Sequence, residues 1–205
     1  MEKRSKWIAG LAVLVVLFSG CYPQGPDFIE DLDIVVTRHE DGYDFTPKQT
    51  YAMPDRIVKI TGDRIEGDAP VYIPDAIATP ILAAIDKNML ALGYTKVAVS
   101  ANPDLLMTPA SWETTTIQYY YDYWYWWYGG YYPYWGWGYP AYVSSYTTGT
   151  LFMGLVDPDV VAANGNPIRQ WSGAANGILQ YSFDVTRVTR AVDKAFAASP
   201  YLKTN

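Results

Sequence analysis

Between Tyr119 and Tyr146 stand 12 of the chain's 19 tyrosines and five of its 8 tryptophans, Trp124, Trp126, Trp127, Trp135 and Trp137. Asp122 is the only charge in that stretch, and no Lys or Arg occurs between Lys96 and Arg169. Gly129-Gly130, Pro133, Gly136, Gly138 and Pro140 interrupt its middle, so the pattern predicts a long hairpin over 119–146 with an irregular tip. With the two-residue period of a strand, Tyr119, Tyr121, Tyr123, Tyr125 and Trp127 share one face. Tyr120, Asp122, Trp124, Trp126 and Tyr128 share the other. A sheet packed on helices buries only one of these faces. The second has to meet the returning arm, a second copy, a lipid headgroup layer or a ligand. Left bare, it is larger than soluble monomers tolerate and prone to aggregate.

Four uses of such a segment remain open. It can pack on itself without a ligand. It can contact a protein, since Tyr and Trp offer large rigid area at low entropic cost. It can hold carbohydrate or peptidoglycan, with ring faces on sugars and phenol hydroxyls as polar contacts. It can lie at the headgroup level of a membrane, where Trp and Tyr concentrate. In the binding cases the candidate surface is Tyr121, Tyr123, Trp124, Trp126, Trp127, Trp135 and Trp137. Single-stranded nucleic acid also stacks on aromatic rings, but that mode needs a basic groove. Here 15 Lys and Arg face 21 Asp and Glu, a formal charge of −6 over 205 residues. No nucleic-acid partner is expected.

The N-terminus narrows the compartment. Lys3, Arg4 and Lys6 precede an apolar or small run from Trp7 to Gly20. Such a run is shorter than the roughly 20 residues a spanning helix needs, and suits the apolar core of a signal peptide. It breaks at Cys21, the only cysteine, followed by Tyr22-Pro23-Gln24-Gly25-Pro26. Leu17-Phe18-Ser19-Gly20-Cys21 resembles the lipobox of bacterial lipoproteins, with Phe18 where Leu is usual. The resemblance implies that residues 1–20 are a lipoprotein signal peptide and that Cys21 becomes the acylated N-terminus. Two or more acyl chains, at about 0.8 kcal/mol per buried CH₂, anchor stably. Tyr22 differs from the Asp that resembles an inner-membrane retention signal, so the expected location is the outer membrane, lipid-anchored and facing the periplasm. Residues 21–32 then form a tether with Pro23, Gly25 and Pro26.

A single domain is expected over 33–200. Strands are predicted at Ile34–Thr37, Phe45–Met53, Ile57–Ile60, Lys96–Ser100, Leu105–Tyr121, Val143–Val156 and Ile168–Ala174. One helix is predicted from a Thr79 cap and Pro80 at its first position, with Ile81, Leu82, Ile85, Met89 and Leu92 as its apolar stripe and Gly93 as its stop. A second carries Val185, Val188, Val192, Ala195 and Phe196 and ends before Pro200. Strands without a repeated β-α-β rhythm argue for an α+β fold: an antiparallel or mixed sheet, two helices on one face, and the aromatic hairpin.

Several short pieces occur in an order that resembles the bacterial lipoproteins gathered as domain of unknown function 4136 (DUF4136). They are Thr50-Tyr51-Ala52-Met53, Leu92-Gly93-Tyr94, Asn102-Pro103-Asp104-Leu105-Leu106, Gly149-Thr150-Leu151 through Val156-Asp157, and Trp171-Ser172-Gly173. Met53 stands where the family more often has Trp. Members often resemble this chain in carrying a Tyr/Trp/Gly-rich insert between two strands. The resemblance implies an architecture and an envelope location, and no chemistry.

No phosphate loop, dinucleotide fingerprint or nucleophile elbow occurs. One Cys and one His exclude an intrachain disulfide, a multi-thiolate metal site and every motif that needs two imidazoles. His39 reads as a solvated residue past a strand, and Asp157-Pro158-Asp159 as a polar turn after one. Arg187, Arg190 and Lys194 read as the polar side of the last helix. The expectation is therefore a non-enzymatic envelope lipoprotein without cofactor or metal. It would be structural, or contact an envelope protein, or bind peptidoglycan or another glycan; a hydrolase built on His39 or the aspartates is the enzyme-class rival.

Overall fold

The computed structural model describes residues 33–60, 70–112, 149–161, 167–179 and 184–205. In chain order they form β1 (Val35–His39), β2 (Thr50–Ala52), β3 (Val58–Ile60), α1 (Asp75–Ala91), β4 (Thr95–Lys96), β5 (Leu105–Met107), β6 (Ala110–Trp112), β7 (Thr150–Val161), β8 (Pro167–Ala175) and α2 (Val185–Ala197). Short 3₁₀ turns at Val99–Ala101 and Pro200–Leu202 complete the list. All lie in the unit Asp33–Asn205.

One mixed sheet organises them, in the order β1-β8-β7-β5-β2-β4, with β3 beside β6 and β6 beside β7. β1, β8 and β7 pair antiparallel, as β7 does with both β5 and β6. β2 and β3 run parallel to β5 and β6, which requires a crossover, and α1 lies in it. The expected strand 105–121 is broken at Thr108-Pro109, because Pro109 has no N–H for the ladder. Pro54 falls similarly between β2 and β3, so the neighbouring lines of chain are interrupted alike.

Side chains alternate across the sheet. Tyr51, Leu105, Met107, Leu151, Met153, Leu155 and Trp171 share one buried cluster with Ile81, Ile85 and Met89 of α1 and Val188, Val192 and Phe196 of α2. Both helices therefore pack on that face, as expected. At roughly 1.5–3 kcal/mol for each large apolar side chain removed from water, this layer is the main source of stability. The opposite face is buried as well: Val58, Ile60, Trp112, Phe152 and Ala174 are each at most 2% exposed.

The helices differ from expectation at their starts. α1 begins at Asp75, with Ile77 and Ala78 N–H bonded to the Pro74 carbonyl, so Thr79 is not its cap and Pro80 lies inside it. The carbonyl that Pro80 cannot bond belongs to exposed Ala76, where water is available. Its end follows the sequence: Gly93 takes φ +101°, and the N–H groups of Gly93 and Tyr94 bond the carbonyls of Leu90 and Met89. α2 is capped by the Asp184 carboxylate, which accepts from the N–H of Thr186 and Arg187. Val185, expected in the apolar stripe, stands 42% exposed, while Ala191 joins the buried residues of α2.

Candidate functional site

Cys21 and Tyr121, Tyr123, Trp124, Trp126, Trp127, Trp135 and Trp137 lie outside the described residues, as does the predicted hairpin. What is described is the root of the aromatic segment. Ala110, Ser111 and Trp112 of β6 face Phe152, Leu151 and Thr150 of β7, and the Gly149 N–H donates to the Trp112 carbonyl at 2.7 Å. The described residues on either side of the aromatic segment, Trp112 and Gly149, are therefore bonded to each other across β6 and β7. Trp112 and Phe152 meet edge to face at 5.8 Å, and the Arg169 guanidinium lies 5.2 Å from the Phe152 ring centre. On the other side of the rung, the Leu179 N–H donates to the Gly149 carbonyl and the Thr150 hydroxyl meets the Asn176 side chain.

The acidic motif behaves differently from the sequence reading. Asp157-Pro158-Asp159 is not a turn after a strand; it lies within β7, which continues to Val161. Pairing with β8 shifts register between Val156 and Val161, and that irregularity accommodates Pro158. Asp157 is fully buried. Its Oδ2 accepts the Tyr43 hydroxyl at 2.6 Å and lies 2.7 Å from the Lys48 Nζ, while its Oδ1 accepts the Asp159 N–H at 2.9 Å. Burial and then the bond to Asp157 push the Tyr43 phenol well above its ordinary range. Tyr43 therefore holds its proton and donates it to the carboxylate.

A second knot lies on the same sheet. The Asp104 Oδ2 accepts from the Gln49 N–H, the Thr50 N–H and the Thr50 hydroxyl, at 3.0, 2.8 and 2.7 Å. Partial burial raises its carboxyl, but the Thr50 side-chain bond and the two amide bonds outweigh that and leave it below the usual carboxylate range. Together the two carboxylates fix the chain between β1 and β2. Every polar atom named has a partner, and the arrangement holds a backbone in place.

His39 ends β1, exposed, with its ring 4.0 Å from that of Tyr201. From Tyr201 the contacts run through Phe45 to Tyr43, so rings separate His39 from Asp157. Arg187 is not simply solvated: it grips Asp33 through Nε and Nη2. Among the described residues no three His, Cys, Asp or Glu side chains come together as metal ligands. No described helix is long and apolar enough to cross a membrane. Tyr43, Lys48 and Asp33 were not legible as partners, because each meets a residue more than a hundred positions away.

This is an α+β domain in which the described residues flanking the aromatic-rich segment, Trp112 and Gly149, lie on one antiparallel pair. The chain belongs to the DUF4136 family (domain of unknown function), whose model matches residues 35–201. It is similar to the crystal structure of a DUF4136 family protein from Bacteroides thetaiotaomicron VPI-5482, at 25% identity and a TM-score of 0.61, over 83% of this chain and 97% of that one. A PelC dodecamer from Paraburkholderia phytofirmans matches at 14% identity and a TM-score of 0.41, over 84% and 98%. No curated protein matches the chain.

Proposed function

We propose that this DUF4136 protein is a non-enzymatic lipoprotein of the cell envelope. Acyl chains on Cys21 tether it to the outer membrane, facing the periplasm, and its aromatic segment contacts an envelope protein. The observation that carries the reading is the shared rung of Trp112 and Gly149. A rigid sheet that gathers both ends of a Tyr/Trp-rich segment is the arrangement by which folds present binding residues. The lone cysteine at the end of the apolar leader supports the tether. The saturated bonding of Asp157 favours a structural over a catalytic use of that carboxylate.

Ring faces and phenol hydroxyls suit sugars too, so peptidoglycan is the second reading. Co-sedimentation of the detergent-solubilised full chain with insoluble peptidoglycan separates the two. The protein-contact reading predicts no saturable binding. Saturable binding lost when residues 122–141 are replaced by a short Gly-Ser turn would transfer the role to the cell wall. The anchor has its own test: metabolic labelling with palmitate should mark the native chain and leave Cys21→Ser unlabelled. Equal label on both would remove Cys21 from the account.

A further inference from the structure

The two ends of the sheet are built differently. At one end β4 has two residues and carries Lys96, a short charged edge of the kind that resists strand addition. At the other, β1 has five residues in unbroken register with β8, from Val35 opposite Ala175 to His39 opposite Trp171. The Asn176 N–H donates to the Ile34 carbonyl and the Glu40 N–H to the Gln170 carbonyl. Even-numbered residues of β1 thus spend their backbone groups on β8. The N–H and C=O of Val35, Thr37 and His39 point to the outer edge, where no described strand meets them. Ile34 and Val36, on the face away from the helices, are 60% and 51% exposed, the two most exposed large apolar side chains outside α1 among the described residues. No proline, bulge or lysine guards this edge, and its one charged side chain, Arg38, lies on the same face as Ile34 and Val36.

We propose that β1 pairs antiparallel with β1 of a second copy of this chain, joining two sheets across a twofold axis at Thr37. The outward groups are self-complementary about that point: Val35 meets His39 of the second copy, Thr37 meets its own counterpart, and about six backbone bonds form. A five-residue edge buries well under the roughly 1,000 Å² that a stable free dimer needs. Pairing therefore depends on a high local concentration, and the chain before β1 supplies it. From Cys21 to Asp33 an extended tether reaches at most about 40 Å, so anchored copies hold their β1 edges in one thin layer next to the membrane. That step rests on the anchoring proposed above.

The test uses the full chain in its own membranes, with Thr37→Cys compared with Ala83→Cys on the exposed side of α1 and with the parent chain, under a mild oxidant. Directly opposed residues of a bonded pair lie about 5.5 Å apart, within disulfide reach. Disulfide dimer at position 37 should exceed that at 83 and in the parent at least tenfold, and adding Val36→Lys should reduce it severalfold. Palmitate labelling of the same samples reads the anchor separately. Labelled protein without excess dimer at 37 overturns the pairing and leaves the anchor standing. Unlabelled protein that still cross-links at 37 supports the β1 pairing but overturns both the anchor and the dependence of pairing on it. Unlabelled protein without dimer overturns both.

Discussion

The strongest constraint from a single side chain is Asp157. It is buried on β7, and its charge is balanced by Lys48, whose side chain is 21% exposed, and by the Tyr43 hydroxyl. Asp157→Ala would leave both partners facing a gap, and removal of one member of a buried pair is strongly destabilising. Because Lys48 reaches water, a cost of about 2–4 kcal/mol is expected by urea unfolding. Tyr43→Phe, which removes one bond, should cost only about 1–2 kcal/mol. If the alanine variant melted with the native midpoint, the carboxylate would have no structural role.

Three phenols, Tyr51 and Tyr94 buried and Tyr43 partly buried, make a second prediction at this scale. Tyr43, Tyr51 and Tyr94 are all held well above the ordinary tyrosine range, by burial first and then, for the first two, by donation to Asp157 and Asp86. The folded state binds these protons more tightly than the unfolded chain does. Their contribution to stability is full below the ordinary value of about 10 and is lost as pH rises above it. Absorbance at 295 nm should show most tyrosines ionising near that value and a final group ionising only together with loss of circular dichroism. Complete ionisation with the fold intact would contradict the raised range of all three.

Among the elements, the end of α1 is fixed by the C-terminal tail. A Cβ on Gly93 would lie 2.6 Å from the Thr204 methyl, at a φ of +101° that other residues rarely adopt. Gly93→Ala should cost about 2 kcal/mol or more. Thr204→Ser, which keeps the hydroxyl bonded to the Thr46 carbonyl, should recover part of that loss by removing the methyl. Chemical denaturation of the three variants decides it; no recovery in the double variant would assign the whole cost to the backbone. At the start of α2, Asp184→Ala removes a cap that two N–H groups use, an expected loss of about 1 kcal/mol.

The elements also show where sequence reading holds and where it stops. The stripe Ile81, Ile85, Met89 and the Gly93 stop were legible because helix periodicity and left-handed glycine are local signals. The start of α1 was not, since Pro80 at a first turn and Pro80 inside a helix look alike until the chain before it is placed. β7 was expected to end at Val156 because Asp-Pro-Asp reads locally as a turn. Where the strand runs on, Asp157 is paired with Lys48 and bonded by the Tyr43 hydroxyl, and local pattern does not encode such distant partners. For the same reason Arg187 read as solvated although it is paired with Asp33.

Across the whole molecule, the sheet order and the family membership define the scaffold, and β6 and β7 hold the described residues on either side of the aromatic segment. The order of short motifs from Thr50 to Gly173 was enough to reach the family, since each lies at a strand or turn that the fold needs. The candidate surface itself was legible only as composition, because rings at every second position fit self-packing and partner binding alike.

The central claim is that the aromatic segment touches another envelope protein. The most direct measurement places a photo-cross-linking amino acid at Tyr125 or Trp135 of the anchored full chain in living cells, with Ala83 as the control position. We predict a discrete protein adduct from both segment positions, insensitive to muramidase and absent from position 83. No adduct beyond that at position 83, or adducts that muramidase releases, would contradict the account.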